Sequence, residues 1–170
     1  MRLSSEILIT ERQIRERVDA MAAAIAADTP DGTTLSVVSL LDGAFMFCSD
    51  LVRRLPMPVH LALVPMRSVD RGGRPEEMIF PVGLPILGAD VLVVEDILDT
   101  GQTLSAVGAH LAALGPNRIR IAVLLDKPAR RKAPFRPDYC GFTVPDRWVV
   151  GYGLDHEGLY RNLPYISCVE

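Results

Sequence analysis

Short apolar runs alternate with helix-length segments along this chain, and that alternation limits the fold more than any other feature. Residues 35–41 and 91–95 are almost wholly apolar, and residues 118–125 follow as a third strand-sized segment. A strand without polar alternation is covered on both faces. Between these runs lie segments with helical spacing. In 10–27, Thr10 stands at a capping position and Ile14, Val18, Met21 and Ile25 recur at the helical period. A second helix runs from Gly43 to about Arg54, and a third over 103–114 is stopped by Gly115-Pro116. Residues 59–66 read as another strand. Strand, helix, strand in succession predicts an α/β fold with a central, mainly parallel sheet flanked by helices.

Two stretches depart from this pattern. Residues 67–78 are charged, contain Gly72-Gly73 and Pro75, and have no periodicity, which predicts a long loop, either a lid or a plain hairpin tip. Beyond Lys127, four prolines (128, 134, 137 and 145) punctuate a loop-rich segment with short strands near 139–142 and 148–152. It reads as a small appendage on a single domain spanning 1–170. With 170 residues and 49 % hydrophobic composition the chain can bury a proper core. Its net charge of −3 gives no reason to expect nucleic acid or an anionic membrane as a partner. Cys48, Cys140 and Cys168 lie in no CxxC pair and near no His at ligand spacing, so reduced thiols and a cytoplasmic location are expected. No basic segment followed by an apolar run opens the chain, and no apolar stretch is long enough to span a membrane.

The chemistry concentrates in Val91-Leu-Val-Val-Glu-Asp-Ile-Leu-Asp-Thr-Gly-Gln-Thr-Leu104. A buried strand runs into Glu95 and Asp96; then Asp99, Thr100, Gly101, Gln102 and Thr103 lead into a helix. Backbone N–H groups at a helix start, a glycine and threonine hydroxyls make a cradle for an anion. There is no GxxxxGK[ST], so this is not the triphosphate P-loop. The paired acids call for a ligand that carries hydroxyls or Mg²⁺ beside its phosphate.

This window resembles the phosphoribosyl-pyrophosphate (PRPP) signature of type I phosphoribosyltransferases. Three further segments resemble the hypoxanthine-guanine branch: residues 40–53, Asp126-Lys127-Pro128, and 139–155 with Tyr160-Arg-Asn-Leu-Pro164. Residues 7–22 are similar to that branch's opening helix. The resemblance implies the type I fold with a lid at about 67–78 and a hood built from the N-terminal segment and about 128–170. It implies transfer of 5-phosphoribosyl from PRPP to hypoxanthine and guanine, with Mg²⁺, in a homodimer or homotetramer.

Residue roles follow from the same resemblance. Glu95 and Asp96 would hold the ribose hydroxyls and, with Asp155, the metal. Asp99 would accept a proton near N7 of the purine. The stretch from Asp99 through Thr100, Gly101, Gln102 and Thr103 would bind the 5′-phosphate. Leu41, Asp42, Gly43 and Arg161 would face pyrophosphate. Lys127 would donate to the purine O6, Trp148 would stack on the base, and the Val149 backbone would read its edge.

Three positions depart from the family's habit. Asp42 stands where a Lys is common, Ser68-Val69 where the lid carries Ser-Tyr, and His156 where a Tyr is frequent. A basic cluster, Arg130-Arg131-Lys132 with Arg136, leaves a second reading open: a regulator on the same fold that senses PRPP or nucleotide and binds RNA or protein. Another base, such as xanthine, is a third.

Overall fold

The first helix shows how far local sequence sets local structure. The computed structural model describes residues 2–69, 75–78, 83–133 and 135–170. Helix α1 (Glu11–Ala27) carries a capping box: the Thr10 hydroxyl accepts from the Gln13 N–H, and the Gln13 side chain accepts from the Thr10 N–H at 2.9 Å. Ile14, Val18, Met21, Ala22 and Ile25 form its buried stripe.

That stripe packs on a sheet whose middle is fully covered. Strands β2 (Leu35–Leu41), β3 (Val59–Val69), β5 (Asp90–Leu98), β6 (Arg118–Asp126) and β7 (Tyr139–Thr143) are parallel, and β4 (Pro75–Met78) pairs antiparallel with β3. The order is β4-β3-β2-β5-β6-β7. Helices α2 (Phe45–Val52) and α3 (Gln102–Ala113) are the crossovers. Alternate residues of β2 and β5 feed two cores. Val37, Leu92 and Val94 pack with α1 and α2, whereas Val38, Leu40, Val91 and Val93 pack with Leu104, Val107 and Leu111 of α3. Each core side chain of this size withdraws roughly 1.5–3 kcal/mol worth of apolar surface from water.

The topology also places a crevice. Neighbours β2 and β5 send the chain in opposite directions, β2 through α2 to β3 and β5 through α3 to β6. The carboxyl ends of these two strands are therefore a topological switch point, where open α/β sheets leave room for a ligand. Their last residues lead into Asp42-Gly43 and Asp99-Thr100-Gly101.

Strand β1 (Leu3–Ile9), β8 (Val149–Val150) and β9 (Ile166–Val169) make a second, antiparallel sheet in the order β1-β9-β8. It ties both chain ends together, and Ser167 in β9, wholly buried, donates from its hydroxyl to the Glu6 carbonyl at 2.6 Å.

Several boundaries differ from the sequence reading. Residues 7–9, expected in the opening helix, are strand, because β9 supplies a pairing partner that no local pattern announces. Residues 139–143, expected in the appendage, are the edge strand of the main sheet, paired with β6 from Ala122↔Tyr139 to Asp126↔Thr143. β3 continues past Met66 to Val69, and β4 returns along it, so the flanks of the expected lid are strand. Its tip, residues 70–74, lies outside the described residues. The three cysteines are free thiols, Cys48 and Cys168 buried.

Candidate active site

The two loops at the switch point are pressed together. The Leu41–Asp42 peptide is cis. Next to it, Gly43 lies so close to Asp96 that a Cβ would sit 1.6 Å from Asp96 Oδ2, so no side chain fits there. Asp96 turns its other oxygen, Oδ1, to accept the Ile97 N–H at 2.8 Å. Glu95 stands beside it. Burial, then the Asp96 charge, pushes the Glu95 carboxyl well above the usual carboxylate range. Burial raises Asp96 too, opposed by hydrogen bonds from Glu95 and from the Ile97 N–H. Two acids this close in a covered place favour sharing a proton, or a cation or hydroxyl-bearing ligand between them.

After Asp99 and Thr100 the chain turns through Gly101, φ 84°, a left-handed conformation that favours glycine. Gly101 is the N-cap of α3, and among the described residues no side chain caps that helix start. The Gln102 N–H has a long 3.4 Å contact with the Thr100 hydroxyl. This end of α3 is thus oriented to receive an anion.

A segment from far along the chain closes the other side. Arg161 donates to the Gly153 carbonyl at 2.6 Å and pairs with Asp155 at 2.9 Å. Its contact with Asp42 is longer, 3.9 Å, and the Asp42 side chain is 77 % exposed. Asp155 Oδ2 accepts the Gly158 N–H at 2.7 Å, and the Asp155 carbonyl accepts the Trp148 indole N–H at 3.1 Å.

Between these elements lie two adjoining cavities. The first, of about 340 Å³, is lined by Leu41, Asp42, Gly43, Glu95, Asp96, Asp99, Thr100, Gly101, Thr103, Asp155 and Arg161, with Met66, Ile97, Leu98 and Leu104. The second, of about 220 Å³, is lined by Lys127, Arg130, Trp148, Val149 and Leu154, and shares Asp96, Ile97, Asp99 and Asp155 with the first. One lobe is acid-rimmed with an anion cradle. The other pairs an ammonium with an aromatic ring. Three carboxylates stand where they meet.

Lys127 is 7 % exposed and donates from Nζ to the Arg147 carbonyl at 2.7 Å. Burial pushes its pKa down, while Asp99 and Asp146 pull it back up. Trp148 is 56 % exposed, its ring edge-on to His156 at 5.5 Å. A large indole held at its N–H and open on its surface suits stacking rather than core filling.

Most residues that the sequence singled out converge here, and Gln102 is the exception. It lines a groove with Ser105, Ala106, Lys132 and Ala133 instead, and its buried Oε1 has no hydrogen-bond partner among the described residues. Among the described residues no three His, Cys, Asp or Glu side chains gather as a metal cage. Glu95, Asp96 and Asp155 are therefore suited at most to a cation that takes one or two carboxylates and completes its shell from the ligand.

Arg130, Met66, Ile97 and Leu154 were not anticipated as site residues. For Arg130 a local signal existed, the basic run itself, but it pointed outward. Instead Arg130 pairs with Asp99 and Asp146, and Arg131 pairs with Asp126 and donates to the Asp99 carbonyl at 2.8 Å. Two of the four cations proposed for RNA are thus spent within the protein.

The sequence model of the phosphoribosyl transferase domain matches residues 5–157. A hypoxanthine-guanine phosphoribosyltransferase of Staphylococcus aureus (strain N315) is 39 % identical over 168 residues, covering 97 % of this chain and 93 % of that protein. The chain belongs to the hypoxanthine-guanine branch of the phosphoribosyltransferase family. A hypoxanthine phosphoribosyltransferase of Salmonella typhimurium is 37 % identical over 173 residues, covering 99 % of this chain and 97 % of that one. Among solved structures, a hypoxanthine-guanine phosphoribosyltransferase of Bacillus anthracis superposes with a TM-score of 0.90 at 34 % identity, covering 98 % of each chain. The fold is accordingly that of the family.

Proposed function

We propose that this enzyme transfers 5-phosphoribosyl from PRPP to hypoxanthine, and to guanine, releasing pyrophosphate and giving IMP or GMP. The observation that carries this reading is the pair of cavities meeting at Asp96, Asp99 and Asp155. The acid-rimmed lobe takes the ribose phosphate and the ammonium–indole lobe takes the base.

In this reading the 5′-phosphate sits on Asp99, Thr100, Gly101, Gln102 and Thr103, with Gln102 contributing its backbone. Glu95 and Asp96 hold the ribose hydroxyls. Leu41, Asp42, Gly43 and Arg161 face the pyrophosphate. The purine lies on Trp148 with its edge to the Val149 backbone. Lys127 has three N–H donors, and Arg147 takes one of them. A second meets O6 of a 6-oxopurine, whereas a 6-amino group would present donor to donor and leave buried polar groups unpaired. As N9 bonds to C1′, the C1′–O bond to pyrophosphate breaks and pyrophosphate leaves with the electron pair. The base's N7 proton passes to Asp99. Positive charge that develops on the ribose ring is stabilised by the neighbouring carboxylates.

Mg²⁺ belongs to this reading as the hard cation that neutralises pyrophosphate oxygens. Glu95, Asp96 and Asp155 would be the oxygen donors that hold it. We extend the reading to a single domain over 1–170 and a cytoplasmic enzyme, in keeping with three free thiols. Among the described residues no helix is long and apolar enough to cross a membrane. We also propose a homodimer or homotetramer. Phe45, Leu61 and Leu63 leave large apolar side chains half exposed, and light scattering on the eluting protein tests it.

The deciding experiment is turnover of hypoxanthine, guanine, xanthine and adenine with PRPP and Mg²⁺. Nucleotide should form with the first two and hardly with adenine. Failure with every base would sink the reading, and a preference for xanthine would redirect it.

A further inference from the structure

The basic run after Lys127 braces the loop that carries Asp99. Arg131 donates to the Asp99 carbonyl at 2.8 Å. The Lys132 and Ala133 N–H groups donate to the Thr100 carbonyl at 3.0 and 3.2 Å. These bonds fix the backbone of Asp99 and Thr100 from outside. The carboxylate is held separately. Arg130 Nε lies 2.7 Å from Asp99 Oδ1, and Arg130 also reaches Asp146 Oδ1 at 3.5 Å.

The two oxygens of Asp99 are not equivalent. Oδ1 is closed off from solvent and has no aligned hydrogen bond among the described residues. The side chain as a whole is nevertheless 37 % exposed, so its openness lies on the Oδ2 side. Arg130, 47 % exposed, lines the base cavity with Lys127, Trp148 and Asp99. The guanidinium thus occupies the inner oxygen and leaves the outer one for whatever enters. Asp146, on the loop before Trp148, meets the same guanidinium at Nη1, 3.5 Å away.

We propose that Arg130 is a positioning residue for this reaction: anchored by Asp146, it pins Asp99 Oδ1 so that Oδ2 points into the base cavity to take the purine proton. The proposal rests on the reading of Asp99 as proton acceptor. It predicts that Arg130 acts through Asp99 and not on PRPP. A carboxylate free to rotate spends little time at the transfer geometry, and small misplacements of a reacting group are costly.

The test is a double-mutant cycle of Arg130→Ala and Asp99→Asn, with Arg130→Lys as the conservative variant and thermal melting of every form. Arg130→Ala should lower kcat roughly ten-fold, a part of the effect of losing the acceptor itself, with KM for PRPP unchanged. Arg130→Lys should recover part of the loss, because an ammonium can still reach a carboxylate. In the Asp99→Asn background, Arg130→Ala should change kcat little. Unchanged kcat in Arg130→Ala, with Asp99→Asn impaired, overturns the positioning role alone. Equal losses from Arg130→Ala in both backgrounds place its action elsewhere and overturn it too. An Asp99→Asn enzyme with full kcat removes the acceptor reading and this inference with it. A melting temperature that falls with kcat and is restored by Arg130→Lys without any return of activity marks Arg130 as structural only.

Discussion

The two ends of the central sheet treat their charges in opposite ways. At the amino end Asp90 and Arg120 are buried, 6 % and 4 % exposed, and surrounded by partners. Asn117 and Arg118 donate to Asp90 at 2.9 and 3.3 Å. Arg120 donates to the Thr29 hydroxyl, the Tyr139 hydroxyl and the Ile25 carbonyl, so that Nε is its one group without a partner among the described residues. At the carboxyl end Glu95 and Asp96 crowd each other, and Lys127 is pushed toward its neutral form by burial. The same strand, β5, begins in the first environment and ends in the second. Satisfied charges hold the sheet together; unsatisfied ones wait for a ligand. The difference teaches where to look for function in this fold: not at the greatest burial of charge, but where burial lacks partners.

If that division is right, mutations at the two ends should separate activity from stability. The largest effect should come from Asp99→Asn, which removes the proton acceptor: kcat should fall by about 10²–10⁴-fold. Steady-state rates at saturating PRPP check this, with melting near that of the parent. Arg120→Met should do the reverse. Losing one partner of a buried pair costs roughly 3–5 kcal/mol, and we expect the low end because Arg118 still neutralises Asp90. Denaturant unfolding should show that loss while kcat per folded molecule stays constant. A large fall in kcat would mean the amino end communicates with the site.

Lys127→Ala should raise KM for hypoxanthine roughly ten- to a hundred-fold, as expected for a hydrogen bond to a charged donor, and KM for PRPP much less. Equal shifts in both would disprove base recognition by Lys127. Glu95 supplies a pH test. Its folded-state pKa lies above its unfolded value, so the protonated form favours folding. Glu95's contribution to the stability of the empty enzyme should therefore be fully present below the ordinary carboxylate range and be lost as pH rises through its raised value. Glu95→Gln should flatten that decline and raise Tm at neutral pH, by roughly 2–4 °C for each kcal/mol relieved. A parent and variant with parallel Tm–pH curves would argue against a strained acid pair.

The smallest effect belongs to Asp42. Its carboxylate is mostly exposed and only 3.9 Å from Arg161, so solvent and salt screen most of its repulsion with pyrophosphate. Asp42→Lys should tighten PRPP by about two- to five-fold at low Mg²⁺, with the gap narrowing as Mg²⁺ rises. Titrations at several Mg²⁺ concentrations decide it, and coincident curves would mean that Asp42 has no part in pyrophosphate binding.

Much of this arrangement was legible in the sequence where one segment carried its own signal. The cap at Thr10 set the start of α1, and the apolar run 35–41 became β2 residue for residue. The acids after β5 and the glycine before α3 marked the ligand end of the sheet, because a strand end, a turn and a helix start lie within fourteen residues. These signals are local: periodicity, caps and turn chemistry act over a few positions, so the sequence states them directly.

What only the tertiary structure decided depends on partners far apart in the chain. β1 is a strand because β9, more than 150 residues on, offers it an edge. Tyr139–Thr143, legible as a short strand, joins the main sheet and not the appendage because β6 leaves one side for it to pair. Arg130 turns inward because Asp99 and Asp146, from two different loops, both come within reach of its guanidinium. A run of arginines reads the same whether it faces water or acids. Composition fixes the charges a chain has, whereas folding alone fixes which opposite charge each one meets and how little water remains between them.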